Sequence, residues 1–155
     1  SEMCIRDRYL IRGIDFYRRF PKHNFEDVGD YDVLAYWPEA NVWLTIECKY
    51  IQPPFCFKDS KRLRDKMFKN NRNDSHFCKI QKKTNFLNEN HRLMRELLDW
   101  PDPQGQSELT VRELYVSKNT YWWMYSPPYT VAADFVQIDL LRSWLEERQE
   151  FQKPA

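Results

Sequence analysis

Glycine is scarce in this chain of 155 residues, which contains only three glycines. This scarcity excludes the glycine-rich loops that bind phosphates in nucleotide-binding domains. No apolar run approaches the length of about 18 residues that a membrane-spanning helix needs, so we expect no membrane partner. The four cysteines lack zinc-finger spacing and no secretory signal is visible, which favours a reduced, cytoplasmic protein.

The composition is that of one globular domain. Hydrophobic residues make up 42% of the chain and charged residues 30%, which is too apolar for a disordered protein and sufficient for a core. The segment from Met3 to Arg8 resembles the translation of a sequencing-library adapter. We therefore interpret residues 1–8 as non-native and residues 9–155 as a single domain, and we expect the native amino end to be truncated.

Residues 31–50 show the alternating pattern of a β-hairpin. The pattern predicts one strand at about 31–36 and a second at about 42–50, with proline and asparagine in the turn between them. Because a strand has a period of two residues, one face of the second strand is apolar and is expected to face a core. The apolar positions of this strand are Val42, Leu44, Ile46 and Cys48.

Three charged residues are expected to meet on the other face of this hairpin. Pairing of the two strands can bring Asp32 next to Glu47 and Lys49. Two carboxylates suit a hard cation such as Mg²⁺ or Mn²⁺, which also takes waters and phosphate oxygens as ligands. A nearby lysine can orient the attacking water or stabilise negative charge in the transition state. The hairpin therefore predicts a metal site for phosphoryl chemistry.

The segment from Gly29 to Leu34, followed by Ile46-Glu47-Cys48-Lys49, resembles the signature of the PD-(D/E)xK nucleases, especially their Mrr-like and NERD-like branches. The resemblance implies a restriction-endonuclease-like α/β core, with a mixed central sheet flanked by helices. It also implies that Asp32 and Glu47 are metal ligands, that the backbone carbonyl of Cys48 is a further ligand, and that Lys49 is the catalytic lysine. Tyr31 stands where proline is common in the superfamily.

Each of these residues also has a simpler interpretation. Glu47 and Lys49 can form an ion pair on a solvated sheet, which would contribute little to stability. Asp30 is a minor candidate ligand and fits better as a solvated turn residue. Such short acid-lysine combinations also occur by chance in exposed strands.

A basic segment follows the hairpin. Between residues 58 and 83 there are ten lysines or arginines and three aspartates. Clustered cations suit contacts with a phosphate backbone, and the alternative is a set of solvated helix faces. Gln81 is a minor candidate, because some relatives use a glutamine or lysine on the corresponding helix. The lysines expected to contact nucleic acid are Lys58, Lys61, Lys79, Lys82 and Lys83.

The remaining periodicity predicts further strands and helices around this hairpin. Two helices follow it, a short one beginning at Asp59 or Ser60 and a long one from Asp74 or Ser75 to about Trp100. The other predicted elements are strands at 14–20, 109–117, 121–125 and 135–138 and a terminal helix at 140–151.

These patterns lead to one expected function and two alternatives. The expected function is that of a metal-dependent nuclease that hydrolyses phosphodiester bonds in DNA. One alternative is a catalytically inactive nucleic-acid-binding module of the same fold. The other is a scaffold domain in which the combination of the three charged residues is a coincidence. A homodimer or a larger complex is compatible with each of them.

Overall fold

A five-stranded mixed β-sheet forms the centre of the computed structural model, which describes residues 9–50, 56–69, 75–119, 121–127 and 131–151. The predicted α/β class with a mixed sheet is confirmed, and the interpretation of residues 1–8 lies outside the described residues. The strands are β1 (Tyr9–Ile14), β2 (Tyr31–Trp37), β3 (Val42–Lys49), β4 (Thr110–Ser117) and β5 (Asp134–Gln137). The helices are α1 (Phe16–Arg19), α2 (Phe57–Phe68), α3 (His76–Leu97), α4 (Trp122–Tyr125) and α5 (Leu141–Glu146), with 3₁₀ turns at Pro21–His23, Ile138–Leu140 and Gln149–Phe151.

The strands lie in the sheet in the order in which they occur in the chain. β2 pairs antiparallel with both β1 and β3, whereas β3, β4 and β5 are parallel to one another. Parallel pairing begins where α2 and α3 join β3 to β4, because a parallel pair needs a long crossover connection. The carboxyl ends of β3, β4 and β5 therefore meet at one end of the sheet, and β2 begins at that same end.

Both faces of the sheet are buried, so β3 is more enclosed than the single apolar face that its alternation predicts. Trp43 and Thr45 are as buried as Leu44 and Ile46. Against one face pack apolar residues of α3, including Phe86, Leu87 and Met94. Against the other face pack Trp144, Leu145 and Phe151 from the carboxyl-terminal segment.

Cys48 corrects a prediction about β3. Its alternation places it with the buried apolar residues, but the side chain is exposed, as is Lys49 after it. Glu47, by contrast, is buried. The last two residues of β3 therefore extend beyond the layers that cover the rest of the strand, which makes this end of the sheet accessible.

The predicted strand at residues 14–20 is wrong, because the first strand ends at Ile14 and a helical turn follows it. The Asp15 side chain accepts a hydrogen bond of 3.2 Å from the Arg18 backbone N–H, which caps α1. Phe16 is buried in edge-on contact with the rings of Phe25 and Tyr31. This cap and this packing override the strand preference of the aromatic residues.

The two helices after the hairpin are confirmed. Ser75 caps α3, because its hydroxyl accepts a hydrogen bond of 3.2 Å from the Cys78 backbone N–H. The spacing of three and four residues along α3 predicts one apolar stripe on the helix. Its buried members are Phe77, Ile80, Leu87 and Met94, and its partly exposed members are Thr84, His91 and Leu98. The strand expected at residues 121–125 is instead the short helix α4. Among the described helices, none is long and apolar enough to cross a membrane.

Candidate active site

Asp32 and Glu47 lie next to each other where β2 begins and β3 ends. Val33 is opposite Ile46 in the antiparallel register, so the next position outward sets Asp32 opposite Glu47. The Asp32 Oδ2 atom accepts a hydrogen bond of 2.8 Å from the backbone N–H of Cys48. The strand pairing and this hydrogen bond together bring the two acidic residues to one end of the sheet, as the hairpin predicts.

The Glu47 carboxylate is buried and forms an ion pair with Lys83. The side chains of both residues are only 10% exposed, and the Lys83 Nζ atom contacts the Glu47 Oε1 atom directly. Burial raises the pKa of Glu47, while the hydrogen bond and charge of Lys83 lower it; Asp32 raises it and Lys49 lowers it to a smaller extent. Asp32, Glu47, Lys49 and Lys83 therefore form one electrostatic cluster.

Lys83 corrects a prediction, because it is not part of an exposed basic face. It is 8% exposed and faces the sheet. The Tyr31 hydroxyl donates a hydrogen bond of 2.7 Å to the Lys83 carbonyl, and the Lys83 Nζ atom lies 6.0 Å from the centre of the Tyr31 ring. Tyr31 thus fixes this part of α3 against β2.

The spacing of α3 contains a signal for this position of Lys83. Lys83 follows Ile80 by three residues and precedes Leu87 by four, so all three lie on one face of the helix. That face packs against the sheet, and both apolar neighbours are buried. A lysine within an apolar stripe requires a buried carboxylate opposite it, and Glu47 is that carboxylate.

A cavity of about 480 Å³ opens above this cluster. Asp32 and Gln81 are not among its lining residues, and Gln81 is exposed elsewhere on α3. Gly29 has φ of +83°, a conformation that favours glycine, and it turns the preceding loop toward Lys83. The residues that line the cavity are Asp27, Val28, Gly29, Asp30, Glu47, Lys49, His76, Lys79, Ile80, Lys82, Lys83 and Tyr115.

The lysines expected to contact nucleic acid fall into three groups. Lys79 and Lys82 are exposed and line the cavity, so they are available to a ligand that enters it. Lys58 and Lys61 are exposed on α2 but do not line it. Lys83 is occupied by Glu47. Of the five predicted lysines, Lys79 and Lys82 are therefore the two that are both exposed and part of the candidate site.

His76 and Tyr115 also line the cavity, and the sequence pattern does not identify them. The His76 Nδ1 atom lies 3.5 Å from the Tyr115 hydroxyl oxygen. Burial is the largest cause that lowers the pKa of His76, and together with the charges of Lys49, Lys66 and Lys79 it lowers this pKa to about 4. The imidazole is therefore neutral at ordinary pH and able to accept a proton or a hydrogen bond.

The donor atoms at this end of the sheet fit a hard cation bound largely by water and substrate. Within the described ranges, no group of three or more His, Cys, Asp or Glu side chains could hold a metal ion. Asp32 and Glu47 supply two carboxylates, and the backbone carbonyl of Cys48 follows Glu47 directly at the end of β3. Mg²⁺ often binds through one or two carboxylates and keeps several waters.

Comparisons with known proteins found no match for this chain. No family model, no curated protein and no solved structure resembles it closely enough to be assigned.

Proposed function

We propose that this domain is a metal-dependent nuclease that hydrolyses phosphodiester bonds, with DNA as the expected substrate. The observation that carries the proposal is the position of Asp32 opposite Glu47 at the accessible end of the sheet, with Lys49 two residues further along β3. Two hard oxygen donors beside a lysine are the groups that metal-assisted phosphodiester hydrolysis needs. The resemblance of the hairpin to the PD-(D/E)xK signature supports the same chemistry.

Asp32, Glu47 and the Cys48 carbonyl would hold Mg²⁺ or Mn²⁺. A bound ion of this kind lowers the pKa of its water and neutralises charge on the phosphate. The Cys48 backbone N–H orients Asp32, and Lys83 opposes the rise in the pKa of Glu47 that burial causes, which favours its carboxylate form. Both contacts fix the two acids before any substrate enters.

Lys49 and Lys83 have different roles in this proposal. Lys49 is exposed and lines the cavity, so it is free to orient the attacking water or to stabilise negative charge on the phosphate. Lys83 is buried against Glu47, so it acts as a positioning residue. Lys79 and Lys82 are suited to contact the phosphates of the strand on either side of the bond that is cleaved.

One observation favours the alternative of an inactive nucleic-acid-binding module. Lys83 already supplies a positive charge to Glu47, and this charge competes with a metal ion for the same carboxylate. A domain of that kind would bind DNA in a salt-sensitive way through its lysines without cleaving it. A scaffold domain would bind neither metal nor DNA.

The decisive experiment measures cleavage of labelled single-stranded and double-stranded DNA with Mn²⁺, comparing the chain with Lys49→Ala. Loss of one charged group that stabilises the transition state should lower the rate by about 10²–10³-fold. Lys22→Ala is the matched control, because Lys22 is an exposed lysine that does not line the cavity. Equal melting temperatures would establish that both variants fold as the parent does.

Three other results would lead to different conclusions. Cleavage that persists in Lys49→Ala would come from another site or a contaminant. No cleavage, together with salt-sensitive DNA binding that survives Asp32→Ala, would support the binding module. A chain that binds neither Mn²⁺ nor DNA would support the scaffold domain.

A further inference from the structure

A second cavity, of about 530 Å³, lies at the other end of α3. It is formed where the helix ends and the chain turns toward β4. Asp99 has φ of +55° at this turn, and the Trp100 backbone N–H donates a hydrogen bond of 2.8 Å to the Arg95 carbonyl. The residues that line this cavity are Arg92, Arg95, Glu96, Asp99, Trp100, Pro101 and Asp102.

The guanidinium group of Arg95 is buried here without an adequate partner. Its side chain is 8% exposed, and its Nη2 atom lies 3.7 Å from the Asp102 Oδ1 atom, beyond hydrogen-bond distance. Its Nε and Nη1 atoms are buried and have no hydrogen-bond partner within the part of the chain that the structure describes. Asp102 is 94% exposed, so its carboxylate is a weak and replaceable counter-ion.

Two further buried donors lie near Trp100, which lines this cavity. The Tyr36 hydroxyl and the Trp43 Nε1 atom have no hydrogen-bond partner among the described residues. Burial raises the pKa of Tyr36 to about 12, with Arg95 lowering it and Asp102 raising it, so these three groups are close enough to interact. The rings of Tyr36 and Trp43 lie 6.0 Å and 5.5 Å from that of Trp100, which lines the cavity.

We propose that this cavity binds a planar monocarboxylate, which replaces Asp102 at the Arg95 guanidinium. Guanidinium and carboxylate groups match in shape and can form two parallel hydrogen bonds. The lining contains two arginines and three acids, a balance that favours a singly charged ligand over a phosphate dianion. Trp100 and Pro101 offer an apolar surface for a ring or chain that carries the carboxylate.

This site is independent of the proposed nuclease function. None of its lining residues lines the cavity above Glu47, so the two proposals can be tested with different substitutions. Failure of the carboxylate proposal would therefore not affect the nuclease proposal.

The test uses benzoate as the probe, with the uncharged benzamide as a probe of the same shape. At about ten times its dissociation constant, benzoate should raise the melting temperature of the chain by about 3–6 °C, and benzamide should not. Calorimetric titration of benzoate and inorganic phosphate would give the dissociation constants.

Two variants test the roles of the individual residues. Asp102→Asn removes the replaceable counter-ion and should tighten benzoate binding by about 3- to 5-fold. Glu89→Gln, at an exposed position on the same helix that does not line the cavity, is the control and should not change it. Arg95→Lys keeps the positive charge but cannot form the two parallel hydrogen bonds of a guanidinium group, so it should weaken benzoate binding by about 10-fold.

Several results would overturn the proposal. They are a melting shift from benzamide equal to that from benzoate, tighter binding of phosphate than of benzoate, and unchanged benzoate binding in Asp102→Asn. If Arg95→Lys fails to fold, benzoate binding by Asp102→Asn tests the proposal, because the exposed Asp102 side chain can be changed without disturbing the core.

Discussion

Helix α3 carries a buried cation in its first half and another near its end, and the two have different partners. Lys83 contacts the buried carboxylate of Glu47, which β3 supplies. Within the described ranges, the ion-pair partner of Arg95 is Asp102, an exposed side chain on a loop, at 3.7 Å. In the first pair, β3 holds Glu47, and the Tyr31 hydroxyl of β2 holds the backbone of Lys83. By contrast, no strand residue among those described forms an ion pair with Arg95.

This difference separates two uses of a buried charge. A cation matched by a buried anion favours the charged form of that anion and fixes its position, and this is the role of Lys83 toward Glu47 in the proposed nuclease site. A cation without a matched anion is a site that a ligand can complete. In the two proposals, the same helix contributes a positioning residue to one site and a binding residue to the other.

The comparison can be tested most strongly by removing the matched cation. Lys83→Met leaves the Glu47 carboxylate buried without a partner, which should lower the free energy of unfolding by about 3 kcal/mol at pH 7. Without Lys83 the pKa of Glu47 rises further, because burial already raises it and Lys83 opposes that rise. A folded-state pKa above the unfolded value favours the folded state at low pH, so the loss should shrink as pH falls through the folded-state pKa.

Denaturant unfolding of three variants measures this effect. Lys82→Met changes an exposed neighbour and should alter stability by less than about 0.5 kcal/mol. The double variant Glu47→Gln/Lys83→Met removes both charges and should recover most of the lost stability. If Lys83→Met alone were as stable as the parent, the Glu47–Lys83 pair would not be what maintains this end of the sheet.

A smaller effect is expected from His76, which lies at the same end of the molecule. Its pKa falls from 6.5 to about 4, because it is partly buried and close to lysines. A histidine with a lowered folded-state pKa contributes stability that is present above the unfolded value and is lost as pH falls toward 4. After allowance for its partial exposure, the loss between about pH 6.5 and 4 should be roughly 1–2 kcal/mol.

The measurement compares the pH dependence of unfolding in the parent with that in His76→Gln. The free energy of unfolding of the variant should fall less steeply between about pH 6.5 and 4 than that of the parent. Other groups that titrate in this range contribute equally to both proteins. His23→Gln, at an exposed histidine that does not line the cavity, is the matched control for replacing a histidine with glutamine. A His76→Gln slope identical to that of the parent would show that His76 does not titrate in this range.

Local patterns predicted the hairpin and the pairing of its acids. Alternation along residues 42–48 fixes which side chains share a face, and antiparallel pairing across a short turn sets Asp32 opposite Glu47. The cap at Ser75 and the stripe of α3 are likewise local properties. These features follow from spacing within about twenty residues, which a single sequence contains.

The partner of Glu47 could not be predicted in this way. Lys83 is 36 residues from Glu47, and the pair forms only because α3 packs on one face of the sheet. The pattern of charges alone gave a basic helix face, and this made Lys83 resemble its exposed neighbours. The misplaced strands near Phe16 and Trp122 have the same origin, because strand preference was judged without the tertiary packing that selects a helical turn.

The smallest expected effect is at the unmatched cation. Arg95→Met keeps an apolar stem of similar length and removes a buried charge that lacks a full partner, so stability should change by less than about 1 kcal/mol. Any dependence of this change on pH should come from His91, because the charge of Arg95 is one of the causes that lower the pKa of His91. Denaturant unfolding without any carboxylate present measures it beside Lys83→Met. A loss as large as that of Lys83→Met would mean that Arg95 already has a strong partner, and the two ends of α3 would then be alike.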